Sequence, residues 1–209
     1  MAPTVLVLAP HTDDGEFGCG GTIAKYVSNG SRVIYAAFSA AEQSVLPHLP
    51  RDILRSEVRQ ATAILGIQDE DCLVFDFEVR RFPELRQRIL DQMIVLNQEY
   101  SPDVVLLPSL NDTHQDHQTV AQEGFRAFKR VTMLGYEVPW NNLDFRTSCF
   151  VDLTEEELNR KVTALSHYQS QKHRPYANEE FVKSLAVTRG VQIGRRYAEA
   201  FEVVRWVIN

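Results

Sequence analysis

The 209-residue chain has no apolar run approaching the roughly 18 residues that a membrane-spanning helix needs, so no membrane span is expected. It also lacks any cluster of lysines and arginines. Its 22 basic residues are outnumbered by 28 acidic ones, the formal net charge is −6, and nothing in it would track a phosphate backbone, which argues against a nucleic-acid partner. The first residues lack the basic region and long apolar core of a signal peptide, which points to a cytoplasmic protein. Cysteine is scarce: Cys19, Cys72 and Cys149 are odd in number and far apart, fitting neither a disulfide framework nor a thiolate metal site, so buried reduced thiols are expected. No repeat, low-complexity tract or linker divides the chain. With 44% hydrophobic and 24% charged residues, one domain over residues 1–209 is the economical reading.

What the chain does have is a regular alternation of strand-like and helix-like segments. Thr4 to Ala9 is short, β-branched-rich and nearly free of polar groups, as a strand buried on both faces of a parallel sheet should be. Thr22 to Asn29 reads as a helix ended by Gly30, and "RVIYAAFS" as a second buried strand. A helix from Asp52 to Leu65 stops at Gly66, "CLVFDF" gives a third strand, and Pro83 opens a helix ending near Tyr100. "DVVLLP" is the fourth strand. Further on, Thr154 and Glu157 form a capping-box pattern, "EEFVKSLAVTRG" reads as a helix closed by Gly190, and "AFEVVRWVI" as an edge strand. The pattern defines an α/β class with a mostly parallel sheet and helices on both faces. Ser39 to Arg51, with two prolines, reads as a mobile loop over the site.

Two polar clusters follow buried strands, where open α/β sheets place their ligands. The first is "PHTDDGEFGCGG". It is not a dinucleotide fingerprint, because Ile23 stands where the third glycine belongs, and no Gly-Lys-Ser/Thr makes it a phosphate loop. Its glycines instead suit a tight turn and a closely packed helix start. The adjacent Asp13 and Asp14 are costly unless something positive lies beside them; the bland alternative is a helix cap. His11, a carboxylate and the histidines of the second cluster, "NDTHQDHQ", supply the donors of a catalytic Zn²⁺ with one position left for water. Two histidines and a carboxylate also make the facial triad of Fe²⁺ oxygenases, so Fe²⁺ or another divalent metal stays open. The spacing of His114 and His117 lets one imidazole face a metal and the other a substrate. Asp116 between them reads either as a helix cap or as a carboxylate that fixes the tautomer of an imidazole and raises its pKa.

The segments "PHTDDGEFGCGGTIAK", "HQDH" and "YAEAFEV", with "RSEVRQATAILG" as a weaker match, resemble the PIG-L/LmbE-type family of zinc-dependent deacetylases, which remove acetyl groups from N-acetylglucosamine-like sugars. The resemblance implies a Rossmann-like fold without a nucleotide, with Zn²⁺ held by His11, Asp14 and His117. It further implies Asp13 as the unligated general base and His114 facing the substrate; the chemistry of amide hydrolysis then suggests a protonated His114 beside the oxyanion, its charge sustained by Asp116. The implied partner is a small amino-sugar substrate. Cleavage of a larger amide of a sugar conjugate, or a non-haem Fe²⁺ reaction, are the alternatives, and the sequence leaves a homo-oligomer open. Arg55 is the candidate substrate contact. The net acidity disfavours highly anionic substrates unless Arg55, Arg80, Arg81 or Arg195 lines the cleft. Tyr168, Gln171, Tyr197 and Glu199 are candidates to frame the entrance or support the metal shell.

Overall fold

A computed structural model describes residues 2–208. In chain order the elements are β1 (Val5–His11), α1 (Asp14–Ser28), β2 (Val33–Ser39), α2 (Ile53–Leu65), β3 (Cys72–Val74), α3 (Phe82–Tyr100) and β4 (Val104–Pro108). They continue with α4 (Gln115–Ala127), β5 (Thr132–Tyr136), β6 (Cys149–Asp152), α5 (Glu155–Ser166), α6 (Glu179–Val191) and β7 (Ala198–Arg205). One seven-stranded sheet runs β3-β2-β1-β4-β5-β7-β6, parallel from β3 to β5 and antiparallel at β7 and β6.

β1 explains itself: Val5 to Ala9 are fully buried, and successive side chains feed opposite layers. Val5, Val7 and Ala9 join the core beneath α1, α2 and α5, with Ile23, Val58, Leu65 and Ala164. Leu6 and Leu8 join the core beneath α3 and α4, with Ile89, Met93, Val120 and Ala121. The chain leaves β1 toward β2 on one side and β4 on the other, so the strand order reverses beside β1. Both polar clusters emerge at that switch point, at the carboxyl ends of β1 and β4.

β3 covers only the first half of "CLVFDF", and three further elements differ from the sequence expectation. α1 begins at Asp14 rather than Thr22 and takes in the whole glycine cluster, because those glycines meet neighbouring side chains: a Cβ on Gly18 would overlap the ring of Tyr136. β7 is not an edge strand. It lies between β5 and β6, and β6, too short to stand out in the sequence, forms the edge. α6 runs one residue past Gly190, which is needed instead because the backbone of Arg195 and Arg196 passes within 2.8 Å of where its Cβ would be. The expected capping box at Thr154 and Glu157 is present in full. All three cysteines are free, Cys19 and Cys72 buried and Cys149 half-buried. Among the described residues no helix is long and apolar enough to cross a membrane.

Candidate metal centre and active site

His11 is the last residue of β1, Asp14 opens α1, and His117 sits in the first turn of α4. Three of their atoms converge: His11 Nδ1 to Asp14 Oδ2 is 3.0 Å, His117 Nε2 to Asp14 Oδ2 is 3.1 Å, and the two imidazole nitrogens are 3.4 Å apart. Ligands at about 2.0–2.1 Å from a tetrahedral ion would stand about 3.3 Å from one another. The donor set and its spacing therefore fit a single divalent cation. As the side chains stand, burial opposes charge on both imidazoles, but Asp14, joined by Asp116 on His11 and by Asp112 on His117, overcomes it and raises His11 to about 9 and His117 to about 10. Burial likewise opposes ionisation of Asp14, and the two histidines overcome it, holding that carboxyl well below the usual range.

Each of these two imidazoles is held from behind by a carboxylate. His117 Nδ1 meets Asp112 Oδ2 at 2.8 Å, and His11 Nε2 meets Asp116 Oδ2 at 3.0 Å. Such outer contacts fix the ring orientation and leave the opposite nitrogen free for a metal. Asp112 received no role from the sequence. The available signal was its presence in the same "NDTHQDHQ" run, five residues before His117. Asp116 corrects the expectation. Its carboxylate lies on His11 and also accepts the backbone N–H groups of Arg80 and Phe82, which ties it to the start of α3. Only its own backbone N–H touches His114, donating to Nδ1 at 3.2 Å. With Nδ1 accepting, the ring proton of His114 lies on Nε2 and the imidazole is neutral. Burial, then the neighbouring His11 and His117, depress its pKa to about 4.

Asp13 stands apart from the cluster. It precedes α1, yet its carboxylate does not cap the helix, which removes the bland reading. It lines a cavity of about 290 Å³ together with His11, Asp14, His114 and His117. Burial, then the charge of Asp14, raises it to about 6. Trp140, Asn141, Gln171, Arg174 and Tyr176 complete the outer wall, and Ala41 and Ser44 bring the loop after β2 to its edge. The rings of Trp140 and Tyr176 are stacked at 3.7 Å. Of these, only Gln171 was a sequence candidate.

Beneath the cluster, Tyr35 and Tyr168 both donate to the Thr12 carbonyl, at 2.9 and 2.7 Å, and both contact the buried Glu16. Tyr168 thus supports the loop from below and does not frame an entrance. Burial pushes Glu16 up to about 8. Glu199 instead accepts backbone N–H groups of α1, from Gly21 and Thr22, and Tyr197 packs with Leu158 and Val182. Arg55 is not in the cavity: its guanidinium is taken by Glu42 and Asp76, beside a separate shallow pocket.

An α/β sheet carrying two histidines and a carboxylate at its switch point defines a protein with a site that could hold a divalent cation. The model of the PIG-L family, described as GlcNAc-PI de-N-acetylase, matches residues 6–128, and the chain belongs to that family. It is similar to the uncharacterized deacetylase YaiS of Escherichia coli (strain K12), 27% identical over 171 residues, 79% of this chain and 90% of the relative. It is similar also to diacetylchitobiose deacetylase of Thermococcus kodakarensis, 24% identical over 96% of this chain and 82% of the relative. Among solved structures, the conserved protein TT1542 from Thermus thermophilus superposes with a TM-score of 0.82, at 25% identity, covering 99% of this chain and 97% of the other. The chain is accordingly a hydrolytic N-deacetylase.

Proposed function

We propose that the chain removes the acetyl group from an N-acetylglucosamine-like amino sugar, or a small conjugate of one, with Zn²⁺ held by His11, Asp14 and His117. The observation that carries this reading is the convergence of those three donors to within 3.4 Å beside a carboxylate, Asp13, that none of them uses. When bound, zinc acts as a Lewis acid, polarising the acetyl carbonyl and lowering the pKa of a water.

The remaining chemistry belongs to the chain. Asp13, on the cavity wall and outside the ligand set, takes the proton of the attacking water as it adds to the acetyl carbon. His114 offers its Nε2 proton to the oxygen on which negative charge develops. Because Nδ1 is tied to the Asp116 backbone, that proton has a fixed direction. Collapse breaks the C–N bond once the amine has gained a proton, which Asp13 returns, leaving acetate and a free amino sugar. Asp112 and Asp116 act through His117 and His11, whose rings they hold in place.

The test is to purify the chain, measure its metal, and assay acetate release from a panel of N-acetylglucosamine derivatives before and after chelation. About one zinc per chain, acetate release and loss of activity on chelation are expected. Turnover that survives complete chelation would overturn the metal assignment. Release of a larger acyl group in preference to acetate would favour cleavage of a bulkier amide.

A further inference from the structure

The four arginines that the sequence offered for an anionic part of a substrate are all absent from the cavity wall. Arg55, Arg81 and Arg195 are engaged by Glu42, Glu84 and Asp152. Arg80 contributes its backbone N–H to Asp116. The arginine on the wall is Arg174, in the turn between the single-turn helix Gln169–Gln171 and α6. Its backbone is pinned on both sides, donating to the Gln171 carbonyl at 2.9 Å and accepting from Ala177 N–H at 3.1 Å. Later arginines in the same region, Arg189 and Arg196, are paired with Glu137 and Glu155. Among the described residues the Arg174 guanidinium has no ion-pair partner. Burial, then the charge of Asp13, raises the neighbouring phenol of Tyr176 to about 12, and the charge of Arg174 acts against them.

Arg174 is exposed where it lines the cavity shared with Asp13, Asp14 and His114, so its unpaired charge is open to a ligand that enters. A cavity of about 290 Å³ is at the small end of ligand pockets, with room for one sugar ring and a short substituent. His11, Asp14, His117 and Arg174 line this one cavity, so a molecule filling it is within reach of all four. The planar fork of arginine suits a carboxylate, and such charge-assisted hydrogen bonds are stronger than neutral ones. One guanidinium in a chain of net charge −6 balances one negative charge, not several.

We propose that Arg174 makes this enzyme selective for an N-acetylated amino sugar bearing a short, singly charged carboxylate substituent. The inference rests on the deacetylation proposed above and adds the class of substituent. It makes Arg174 a specificity-determining residue, while the reacting atoms stay with the metal cluster, Asp13 and His114.

The test compares the carboxymethyl glycoside of N-acetylglucosamine with its neutral, equally sized carbamoylmethyl counterpart, both anomers of each, at low salt. The native enzyme is expected to prefer the carboxylate in kcat/KM by about tenfold, mainly through KM, as one charge-assisted contact would give. That ratio should fall to about one in Arg174→Gln, recover in part in Arg174→Lys, and invert in Arg174→Glu. Arg130→Gln, at the opposite end of the sheet, should keep the native ratio and so exclude a general effect of net charge. A native ratio of about one, or a ratio unchanged in Arg174→Gln, would overturn the proposal. If neither glycoside is hydrolysed, the deacetylation reading fails for this substrate class. Calorimetric binding of the same two compounds then decides Arg174 separately, with equal affinities in the native chain counting against it.

Discussion

Nε2 of His11 lies 3.0 Å from the carboxylate of Asp116, a residue 105 positions away that also receives the backbone N–H of Arg80. Asp116 therefore acts through a proposed metal ligand. Replacing it with asparagine keeps a hydrogen-bonding partner but removes the charge that raises the basicity of the imidazole. Metal affinity should fall by roughly 10- to 100-fold, the usual cost of losing such a partner. Competition with a chromophoric chelator measures it. Unchanged affinity would leave Asp116 as a cap of α3 only. Asp112→Asn should have a similar effect through His117.

The adjacent aspartates should separate cleanly. Asp14 shares its oxygen with both histidines, whereas Asp13 belongs to the cavity. Asp13→Asn should keep its metal while kcat falls by roughly two to four orders of magnitude, the scale of general acid–base catalysis. Asp14→Asn should lose metal and activity together. Metal content measured beside kcat for both variants checks this, and the reverse pattern would exchange the two roles.

Much of this site was legible in the sequence because it depends on local order. His11, Asp13 and Asp14 follow a strand whose burial is written in its composition, and His114 and His117 follow another. What was not legible depends on distant pairing. Nothing in "HQDH" reveals that Asp116 turns toward His11 rather than its neighbour His114, since that choice is made by the loop carrying Arg80 and Phe82. The glycines of α1 looked like a turn because glycine disfavours helices. Tertiary contact with Tyr136 and Leu153 overrides that propensity. Arg174 and Trp140 lie in irregular segments where no periodicity marks a cavity wall.

Arg80 adopts a left-handed backbone, with φ of 69°, while its N–H serves Asp116. A residue with a Cβ costs roughly 1–2 kcal/mol in that region, which glycine avoids. Glycine also gives the unfolded chain more freedom, which offsets part of the gain. Arg80→Gly should thus keep the hydrogen bond and the metal affinity, with stability unchanged or higher by about 1 kcal/mol. Arg80→Val, β-branched, should be destabilised. Thermal unfolding with metal titration checks both, and a clear loss of stability in Arg80→Gly would mean that the side chain matters more than the backbone.

The last prediction concerns Glu199, which reaches α1 from the far side of the sequence. α1 is broken at Cys19, where φ is −148° and ψ is 25°, so the segment after the break has N–H groups without a preceding turn to accept them. Glu199 accepts two of these, from Gly21 at 3.0 Å and Thr22 at 2.7 Å, and the same carboxylate holds Lys161 Nζ at 2.6 Å. Both side chains of that ion pair are only 6% exposed. Glu199→Gln keeps the shape but leaves Lys161 as a buried charge without its partner, a change that typically costs roughly 3–5 kcal/mol. Removing the lysine charge as well, in Glu199→Gln with Lys161→Met, should restore most of that loss, because the uncompensated charge is gone. Urea unfolding of the native chain, both single variants and the double variant closes the cycle. Since Asp14 opens the same helix, Glu199→Gln should also weaken metal binding, and the double variant should recover it. If Glu199→Gln costs less than about 1 kcal/mol, the break in α1 is held by its glycine contacts instead, and the carboxylate is incidental to the placement of Asp14.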